Sequence, residues 1–340
     1  MKARPTWNPV NPYDGVTLEW ELPPEHSTVQ VFEDDSKGVI TENNSPDIPF
    51  RFSLNPYRGC THACSYCYAR RTHEYLGYGA GSDFSTRIVV KMRAPELLRQ
   101  RLMKKSWSGE RLNVSGITDP YQPLEGKYKL VRRCLEVCLE FQQPVTLFTR
   151  SPLIMRDIDL LAQLAEIGAT RVFVSVPIGD AELCQLLEPG TAAPRHRFRA
   201  IERLAAAGVP VGLSIAPLIP GLTDSHIPEL LKRGREAGAS YAMMQLLRLP
   251  GSVHPVFERS LHERLPLRAE RILNGLREMR AGRVNTTTFG QRHLGTGQRW
   301  QMAQQMYRLW HKKLGYEPVP VIDDPTPFRR PGEAEQLSLF

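Results

Sequence analysis

Short apolar segments alternate with segments of helical period along most of this chain, and this alternation constrains its fold more than any other feature. The strand-like segments are 52–57, 112–116, 145–149, 171–176, 209–216 and 241–247, with helical segments between them at 64–76, 95–105, 128–141, 158–167, 195–207 and 227–237. Three helical segments end at Gly168, Gly208 or Gly238, and glycine is favoured just after a helix C-terminus. Because strands that alternate with helices form parallel sheets with right-handed crossovers, the pattern predicts an α/β fold, a partial (β/α)6 TIM-like barrel.

The segments that flank this pattern differ from it in composition. Residues 1–50 are rich in Pro, Asn, Asp and Glu and predict an extended N-terminal arm. Residues 51–315 hold the alternation and two further helices, at 267–279 and 298–314, and predict the barrel domain. Residues 316–340 contain five prolines and predict a flexible Pro-rich tail without a packed core.

The composition of the chain indicates its cellular compartment and the class of its partners. The chain has no apolar run near the roughly 20 residues of a membrane span, and its first residues lack the apolar segment of a secretory signal. These features predict a cytoplasmic protein with no membrane association. The formal net charge of +8 favours polyanions, nucleic acid first among them, although only weakly.

Three of the six cysteines lie within eight residues, directly after the first strand of the pattern. Cys60, Cys64 and Cys67 have the spacing Cys-x3-Cys-x2-Cys, which in a reducing compartment indicates metal ligation rather than disulfides. One alternative is a zinc site with His62 or His73 as the fourth ligand. The other is a [4Fe-4S] cluster whose fourth iron has no protein ligand and is open to a small molecule. The barrel pattern favours the cluster.

This cysteine spacing, with an aromatic residue (Tyr66) before the third cysteine, resembles that of the radical S-adenosylmethionine (SAM) superfamily. Further segments resemble its spore photoproduct lyase-like branch, which is related to DNA repair photolyases: 55–60, 66–70, 118–125, 187–189, 216–224 and 247–250. The resemblance implies a [4Fe-4S] cluster that chelates SAM and cleaves it to a 5′-deoxyadenosyl radical, which abstracts hydrogen from a substrate. It also implies an electron donor such as flavodoxin or ferredoxin.

The resemblance further implies which residues bind the cofactor. Cys60, Cys64 and Cys67 would hold the cluster, and Tyr66 lies within the same motif. Thr118, Arg150 and Ser175 would contact the methionyl and ribose groups of SAM, with Asp119 beside them, and the loop containing Ile219 would contact the adenine. The alternative for Ser175 and Asp119 is a helix cap or a loop hydrogen bond.

The hydrogen donor of the characterised lyase, a cysteine at the end of the second strand, has no counterpart in this chain, where Val114 is followed by Ser115 and Gly116. Tyr121 and Cys134 are candidates for quenching a radical. Cys134 and Cys138 share one helix face, however, and a pair of small core residues is the simpler interpretation. A Gly-rich, basic stretch at 289–297 is compatible with an approach to phosphate, but on its own this pattern has little specificity.

The last five residues resemble the pentapeptide by which bacterial replication and repair proteins bind the DNA sliding clamp. They are Gln336, Leu337, Ser338, Leu339 and Phe340. Two apolar side chains would fill a pocket, and the Pro-rich segment before them would act as a tether. The alternative is an apolar C-terminus that folds back onto the barrel.

The sequence therefore predicts a lyase-like radical SAM enzyme that acts on damaged or modified DNA and is recruited by the sliding clamp. Two other functions remain open at this point. One is radical SAM chemistry on a protein or a small molecule, and the other is a clamp-associated iron-sulfur sensor without turnover.

Overall fold

The computed structural model describes residues 2–3, 6–13, 27–319 and 326–332. Its strands are β1 (Lys2–Ala3), β2 (Ser27–Thr28), β3 (Gln30–Glu33), β4 (Ile40–Glu42), β5 (Phe52–Leu54), β6 (Tyr57–Arg58), β7 (Arg87–Val90), β8 (Leu112–Val114), β9 (Val145–Thr149), β10 (Thr170–Ser175), β11 (Val211–Leu218) and β12 (Tyr241–Leu246). Its α-helices are α1 (Arg70–Glu74), α2 (Asp83–Thr86), α3 (Ala94–Leu102), α4 (Glu125–Tyr128), α5 (Leu130–Glu140), α6 (Ile158–Glu166), α7 (Ala181–Leu187), α8 (Pro194–Ala206), α9 (Ile227–Glu236), α10 (Val253–Arg264), α11 (Pro266–Glu278) and α12 (Gly297–Lys313).

The main sheet has seven strands in the order β12-β11-β10-β9-β8-β5-β4. The strands from β5 to β12 in this sheet are parallel, and β4 adds an antiparallel edge beside β5. Helices cross over between successive parallel strands, as the alternation predicts. The fold is α/β with a mostly parallel sheet, consistent with a partial barrel.

The register of the sheet places the carboxyl ends of its strands along one edge. Leu54 pairs with Val114, Val114 with Leu147, and Thr149 with Val174. Because parallel strands end together, the loops that follow them share this edge, which is where the active sites of α/β barrels lie. The cysteines follow β5 and β6 and therefore reach the same edge.

The core consists of apolar side chains from the strands and from the inner faces of the helices. Val114, Leu147, Val174 and Leu213 are fully buried in four neighbouring strands. Gly168, Gly208 and Gly238 follow α6, α8 and α9 with positive φ angles of 69°, 75° and 95°, so each ends its helix in the left-handed conformation that glycine permits. No helix of the described segments is both long and apolar enough to cross a membrane.

The helix expected at 64–76 is shorter than the sequence pattern suggests, since α1 begins only at Arg70. Ala63 has a positive φ of 55°, and the chain from Cys60 to Ala69 forms successive turns. A second sheet that the pattern did not predict, in the order β3-β7-β6, lies beside this loop. Its strands have two to four residues, too few to show a clear period.

The flanking segments also differ from simple extensions of the barrel. In the N-terminal 50 residues, β3 pairs with β7 and β4 pairs with β5, so this region adds strands to the main and the second sheet, and β1 pairs with β2 in a small third sheet. In the tail, Tyr316 is buried, Phe328 stacks on Phe141, and Arg329 N–H donates to the Phe141 carbonyl. The described part of the tail is thus packed, which differs from the expectation of a wholly flexible segment. The pentapeptide 336–340 lies outside the described residues.

Candidate active site

The three cysteines lie on one loop, residues 59–69, which we call the cysteine loop. Cys60 and Cys64 are buried and Cys67 is partly buried. Each begins a tight turn, because the carbonyls of Cys60, Cys64 and Cys67 accept from the N–H groups of residues 63, 67 and 70. All three thiols are free.

A buried arginine holds the loop in this shape. The Arg70 guanidinium is fully buried and donates to the carbonyls of Ala63 and Cys64 at 3.0 and 2.9 Å. It also donates to the carbonyls of Ala80 and Gly81 at 2.8 and 2.7 Å. Burial lowers the pKa of Arg70, and the three thiolates oppose that shift. Arg70 therefore places a positive charge behind the sulfur atoms.

The loop after β8 fixes the start of the cysteine loop. Thr118 Oγ1 donates to the Gly59 carbonyl at 2.6 Å, and Gln122 Nε2 donates to the same carbonyl at 3.1 Å. Gln122 Oε1 accepts from the Thr61 N–H at 3.0 Å. The amide of Gln122, which is fully buried, thus brackets Cys60 from both sides. Thr118 lies next to the cysteines, and its hydroxyl is engaged with the loop.

Asp119 joins three segments of the site. Its carboxylate accepts from Thr149 Oγ1 at 2.6 Å, the Arg150 N–H at 2.9 Å and the Tyr121 N–H at 2.9 Å. His62 Nδ1 lies 3.4 Å away. Burial raises the pKa of Asp119, but His62 and these donors outweigh burial and hold the pKa at about 2. In the structure Asp119 makes loop hydrogen bonds, which is the alternative to a contact with SAM.

A charged cluster lies on the other side of the cysteine loop. Arg150, directly after β9, donates from Nη1 to Cys64 Sγ at 3.1 Å, Tyr66 Oη at 3.0 Å and Glu188 Oε1 at 3.1 Å. The buried Glu188 carboxylate also accepts from Tyr66 and Arg197. Burial raises the pKa of Glu188, but Arg197 and Arg150 outweigh burial and lower the pKa to about 2. Glu188 is therefore a carboxylate shared by two arginines.

The segment after α7 packs directly against the cysteine loop. The Ser65 N–H donates to the Leu187 carbonyl at 2.9 Å, and the Gly190 N–H donates to the His62 carbonyl at 3.0 Å. A Cβ atom on Gly190 would lie 2.2 Å from the Thr61 carbonyl oxygen. Only glycine allows this approach of the two backbones.

The electrostatics of the three thiols suit a site for iron. Burial raises the pKa of Cys64 and Cys67, and neighbouring thiolates raise both further, while Arg150 opposes. Burial also raises the pKa of Cys60, but His62 outweighs burial, so the net shift is downward. Because iron ions would relieve the repulsion among thiolates, this donor set fits a cluster. Within the described ranges, no group of three Cys, His, Asp or Glu residues could hold a single metal ion.

The two histidines of the zinc alternative, His62 and His73, both contact other groups of the protein. His73 is fully buried, and its Nε2–H donates to the Arg87 carbonyl at 2.9 Å. Burial lowers the pKa of His73 to about 4. His62 lies between Asp119 and Cys60, which together raise its pKa to about 9 against the opposing effect of burial. Each histidine thus has a partner in the protein, although Nδ1 of each ring makes no hydrogen bond among the described residues.

Because His73 is buried, we expect the free energy of unfolding to decrease in acid. Its buried Nδ1 has no hydrogen-bond partner among the described residues, so protonation would place a charge in the core that Asp83 compensates only in part. With a pKa near 6.5 in the unfolded chain and about 4 in the fold, His73 binds its proton mainly in the unfolded state between these values. Stability is therefore full above pH 6.5 and falls by up to about 1.4 kcal/mol per unit as the pH decreases.

The His73→Gln variant, which keeps a donor for the Arg87 carbonyl, should remove this slope. Anaerobic urea unfolding between about pH 5.5 and 7 at constant cluster content measures the effect. His196→Gln, on the exposed side of α8, is the matched control and should behave like the wild type. An unchanged slope in His73→Gln would contradict the assignment.

The remaining predicted cofactor residues lie at the same edge of the sheet. Ser175 ends β10, is buried, and accepts from Arg197 through its carbonyl at 3.2 Å. Ile219 follows β11, and its N–H donates to Thr223 Oγ1 at 2.9 Å. The contacts of Thr118, Asp119, Arg150, Ser175 and Ile219 with SAM stay predictions.

The two candidate radical quenchers lie in different surroundings. Tyr121 is fully buried near Asp157 and Glu125, and burial raises the pKa of its hydroxyl. Cys134 lies on α5, and its side chain is buried in the core. The groups whose charges affect the pKa of its thiol are Cys138, Glu125, Arg133 and Glu96. None of these belongs to the cysteine loop. Core packing therefore accounts for Cys134.

Sequence reasoning did not assign roles to several residues that build the site. Tyr68, Arg70 and Gln122 stood within the quoted segments, but the spacing gave no sign of which groups they contact. Arg197 lay outside these segments and carried no signal of its own. Tyr68 follows Cys67 directly, is about half exposed, and donates to the Gly116 carbonyl at 2.8 Å.

Comparison with known sequences identifies the family of this chain. The model of the radical SAM superfamily matches residues 54–234, more than half of the chain. An uncharacterised protein of Mycobacterium tuberculosis is 39% identical over 216 residues, which are 63% of this chain and 64% of that protein. This chain thus aligns with less than two thirds of that relative's length. A radical SAM Nalpha-GlyT isomerase of Pseudomonas phage M6 is 26% identical over 264 residues, which are 76% of this chain and 51% of that protein.

Comparison with solved structures agrees with the sequence match. A spore photoproduct lyase with bound AdoMet and dinucleoside spore photoproduct superposes with a TM-score of 0.58. The two share 16% identity, and the alignment covers 84% of this chain and 80% of the lyase, so the likeness concerns the fold. The chain belongs to the radical SAM superfamily, whose cofactors are a [4Fe-4S] cluster and SAM.

Proposed function

We propose that this radical SAM enzyme abstracts hydrogen from a damaged or modified nucleotide in DNA. The observation that carries the proposal is the match of 84% of the chain to the fold of spore photoproduct lyase, which is described with a dinucleoside lesion bound. The positive net charge of the chain agrees with a polyanionic substrate. The segments that resemble that lyase branch surround the same edge of the sheet.

Each part of the site has a separate task in this proposal. Cys60, Cys64 and Cys67 would hold the cluster, which supplies one electron that cleaves SAM to methionine and the 5′-deoxyadenosyl radical. Arg70, Thr118 and Gln122 fix the cysteine loop through its backbone. Arg150, partly neutralised by Glu188, presents a guanidinium beside Cys64 that suits a carboxylate such as that of SAM.

The end of β8 distinguishes this chain from the characterised lyase. Ser115 occupies the region expected for a hydrogen-donating cysteine, and its hydroxyl donates to the Thr118 carbonyl at 2.7 Å. This serine closes a turn and has a positive φ of 65°. A serine O–H is a much poorer hydrogen-atom donor than a thiol, so we infer a reaction whose radical is quenched elsewhere.

Anaerobic reconstitution tests the proposal. The cluster-loaded protein, reduced with dithionite in the presence of SAM, should form 5′-deoxyadenosine, and UV-irradiated DNA should increase the yield. Untreated DNA, a protein mixture and no addition are the comparison samples. Formation of 5′-deoxyadenosine without any response to DNA would favour a protein or small-molecule substrate. No cleavage at all, with an intact cluster, would favour the iron-sulfur sensor.

We further propose that the C-terminal pentapeptide binds the DNA sliding clamp. All five residues, 336–340, agree with the motif, and part of the described segment 326–332 packs on the barrel. Thr326 Oγ1 donates to the Gly109 carbonyl at 2.8 Å, and the Phe328 ring stacks on Phe141. A weak peptide attached in this way would raise the local concentration of the enzyme on DNA.

Deleting residues 336–340 should abolish capture of the protein by an immobilised bacterial clamp. The double substitution Leu339→Ala with Phe340→Ala should have nearly the same effect, because these side chains would fill the apolar pocket. Cluster absorbance of the same samples controls for an intact barrel. Capture that survives both changes would refute the motif.

A further inference from the structure

We propose a phosphate-binding site beside the active edge, formed by Arg248, Arg292 and His293, that takes a phosphodiester of the DNA substrate. This inference rests on the proposed function and specifies how the same edge recognises its substrate. We call Asp47, Arg248, Arg280, Arg292 and His293 the Arg248 cluster.

The Arg248 cluster brings together three parts of the chain. Arg248 follows β12 by two residues and so lies at the carboxyl edge of the sheet. Arg292 and His293 come from the Gly-rich stretch 289–297, and Asp47 precedes β5. Arg292 Nε donates to Asp47 Oδ2 at 2.8 Å, and the Gly290 N–H donates to the same oxygen at 3.1 Å. Asp47 thus holds the Gly-rich stretch in place.

The Arg248 cluster is rich in positive charge. Three guanidinium groups are accompanied by the single carboxylate of Asp47, which leaves an excess of two positive charges. Burial lowers the pKa of Arg248, and the charge of Arg292 lowers it further. Arg280, also buried, has a pKa lowered to about 10 by burial and by Arg248. Arginines that repel one another at a partly buried site are stabilised by an anion.

Buried nitrogens of the Arg248 cluster lack hydrogen-bond partners among the described residues. Two of them are Arg248 Nε and His293 Nδ1. His293 Nε2 lies 3.5 Å from Arg248 Nη1 and 3.9 Å from Asp47 Oδ2, so this side of the imidazole already faces groups of the cluster. Arg248 Nε always carries a hydrogen, and His293 Nδ1 carries one in one neutral tautomer and in the imidazolium, so this pair can supply the donors that a phosphate oxygen requires.

Arg280 supports the site from behind. Its guanidinium donates to the Leu247 carbonyl at 2.7 Å and to the Arg292 carbonyl at 3.3 Å. It therefore ties the residue before Arg248 to the Gly-rich stretch. Since its side chain is buried, we treat Arg280 as a positioning residue.

Exposed aromatic rings favour a polynucleotide over a small phosphate ester. Phe289 is more than half exposed, and the Arg292 guanidinium lies 4.8 Å from its ring centroid. Tyr68 is about half exposed beside Cys67, and the charge of Arg248 acts on its hydroxyl. A cationic groove with aromatic faces on which bases stack is the usual arrangement for binding a nucleic acid strand. The site would hold the backbone close to the cysteine loop.

Oligonucleotide binding tests the inference through its salt dependence. Fluorescence anisotropy of a labelled oligonucleotide across a KCl series should show about tenfold weaker binding for Arg248→Gln and a salt slope lower by about 0.7 to 0.9, the value of one phosphate contact. Asp47→Asn should bind severalfold more tightly, because it removes the only negative charge of the cluster while its amide oxygen can still accept from Gly290 and Arg292. Arg199→Gln, on the exposed side of α8, is the matched control and should leave the salt slope unchanged.

The outcomes separate this inference from the proposed function. A wild-type protein without salt-dependent DNA binding would overturn the DNA substrate and the phosphate site together. Wild-type binding that Arg248→Gln and Asp47→Asn leave unchanged would overturn the phosphate site alone. If thymidine monophosphate competes as well as an oligonucleotide, the site takes a small phosphate ester and the polynucleotide assignment is wrong. Cluster absorbance verifies that each variant folds.

Discussion

Replacing Cys64 with alanine should abolish the visible absorbance of the iron-sulfur cluster and all reductive cleavage of SAM. Cys64 is one of three thiols on the cysteine loop, and a cluster with only two protein thiolates loses the ligand set that holds it. Anaerobic reconstitution followed by iron quantification, spectroscopy and measurement of 5′-deoxyadenosine would check this. We expect the loss of cleavage to be complete because the electron from the reductant would reach SAM through the cluster.

Cys134→Ala is the matched control. It removes a buried thiol of the same size, but from the core beneath α5 and away from the cysteine loop. Its cluster and its SAM cleavage should match the wild type, with a loss of stability of about 1 kcal/mol. Cleavage that persists in Cys64→Ala would reject the cluster assignment, and loss of cleavage in Cys134→Ala would restore a redox role for Cys134.

Replacing Glu188 with alanine should destabilise the fold by about 3–5 kcal/mol, the typical cost of removing one partner from a buried ion pair. Glu188 and Arg197 are both fully buried, and Arg150 shares the same carboxylate. Without Glu188, the Arg197 guanidinium keeps only the Thr191 hydroxyl, the Cys184 sulfur and backbone carbonyls as partners. Urea unfolding of the cluster-loaded protein would measure the loss.

Two further variants test whether the loss of stability comes from the buried ion pair. Glu182→Ala changes an exposed glutamate on α7, six residues earlier, and should alter stability by less than about 0.5 kcal/mol. Glu188→Leu combined with Arg197→Met removes both buried charges and should recover much of the loss. A Glu188→Ala protein as stable as the Glu182→Ala control would show that the buried pair does not hold the site together.

Much of the barrel could be predicted because its signals are local. β9 matches its predicted segment residue for residue, and the other parallel strands of the main sheet differ by a few residues at their ends. Gly168, Gly208 and Gly238 end three helices where the sequence placed them, since only a left-handed conformation closes these helices and glycine adopts it readily. The cysteine spacing was equally informative, because all three ligands lie on one short loop.

The partners of the site residues were not predictable in the same way. Tyr66 and Glu188 are 122 residues apart in the chain, and Arg150 and Cys64 are 86 apart. Their contacts depend on which strands are neighbours and on where each strand ends. Thr118 and Asp119 show the consequence, because the sequence indicated their position at the edge but not that their side chains would bind the cysteine loop and β9.

The sequence by itself determined the alternation of strands and helices, the helix ends and the thiol set, because each depends on residues close together in the chain. Only the tertiary structure decided that Arg70 and Gln122 shape the cysteine loop, that Glu188 joins two arginines, and that Arg248 meets the Gly-rich stretch. The physical reason is that charge pairing and burial act through space. Residues distant in sequence acquire a shared function only once the parallel sheet brings the ends of its strands to one edge.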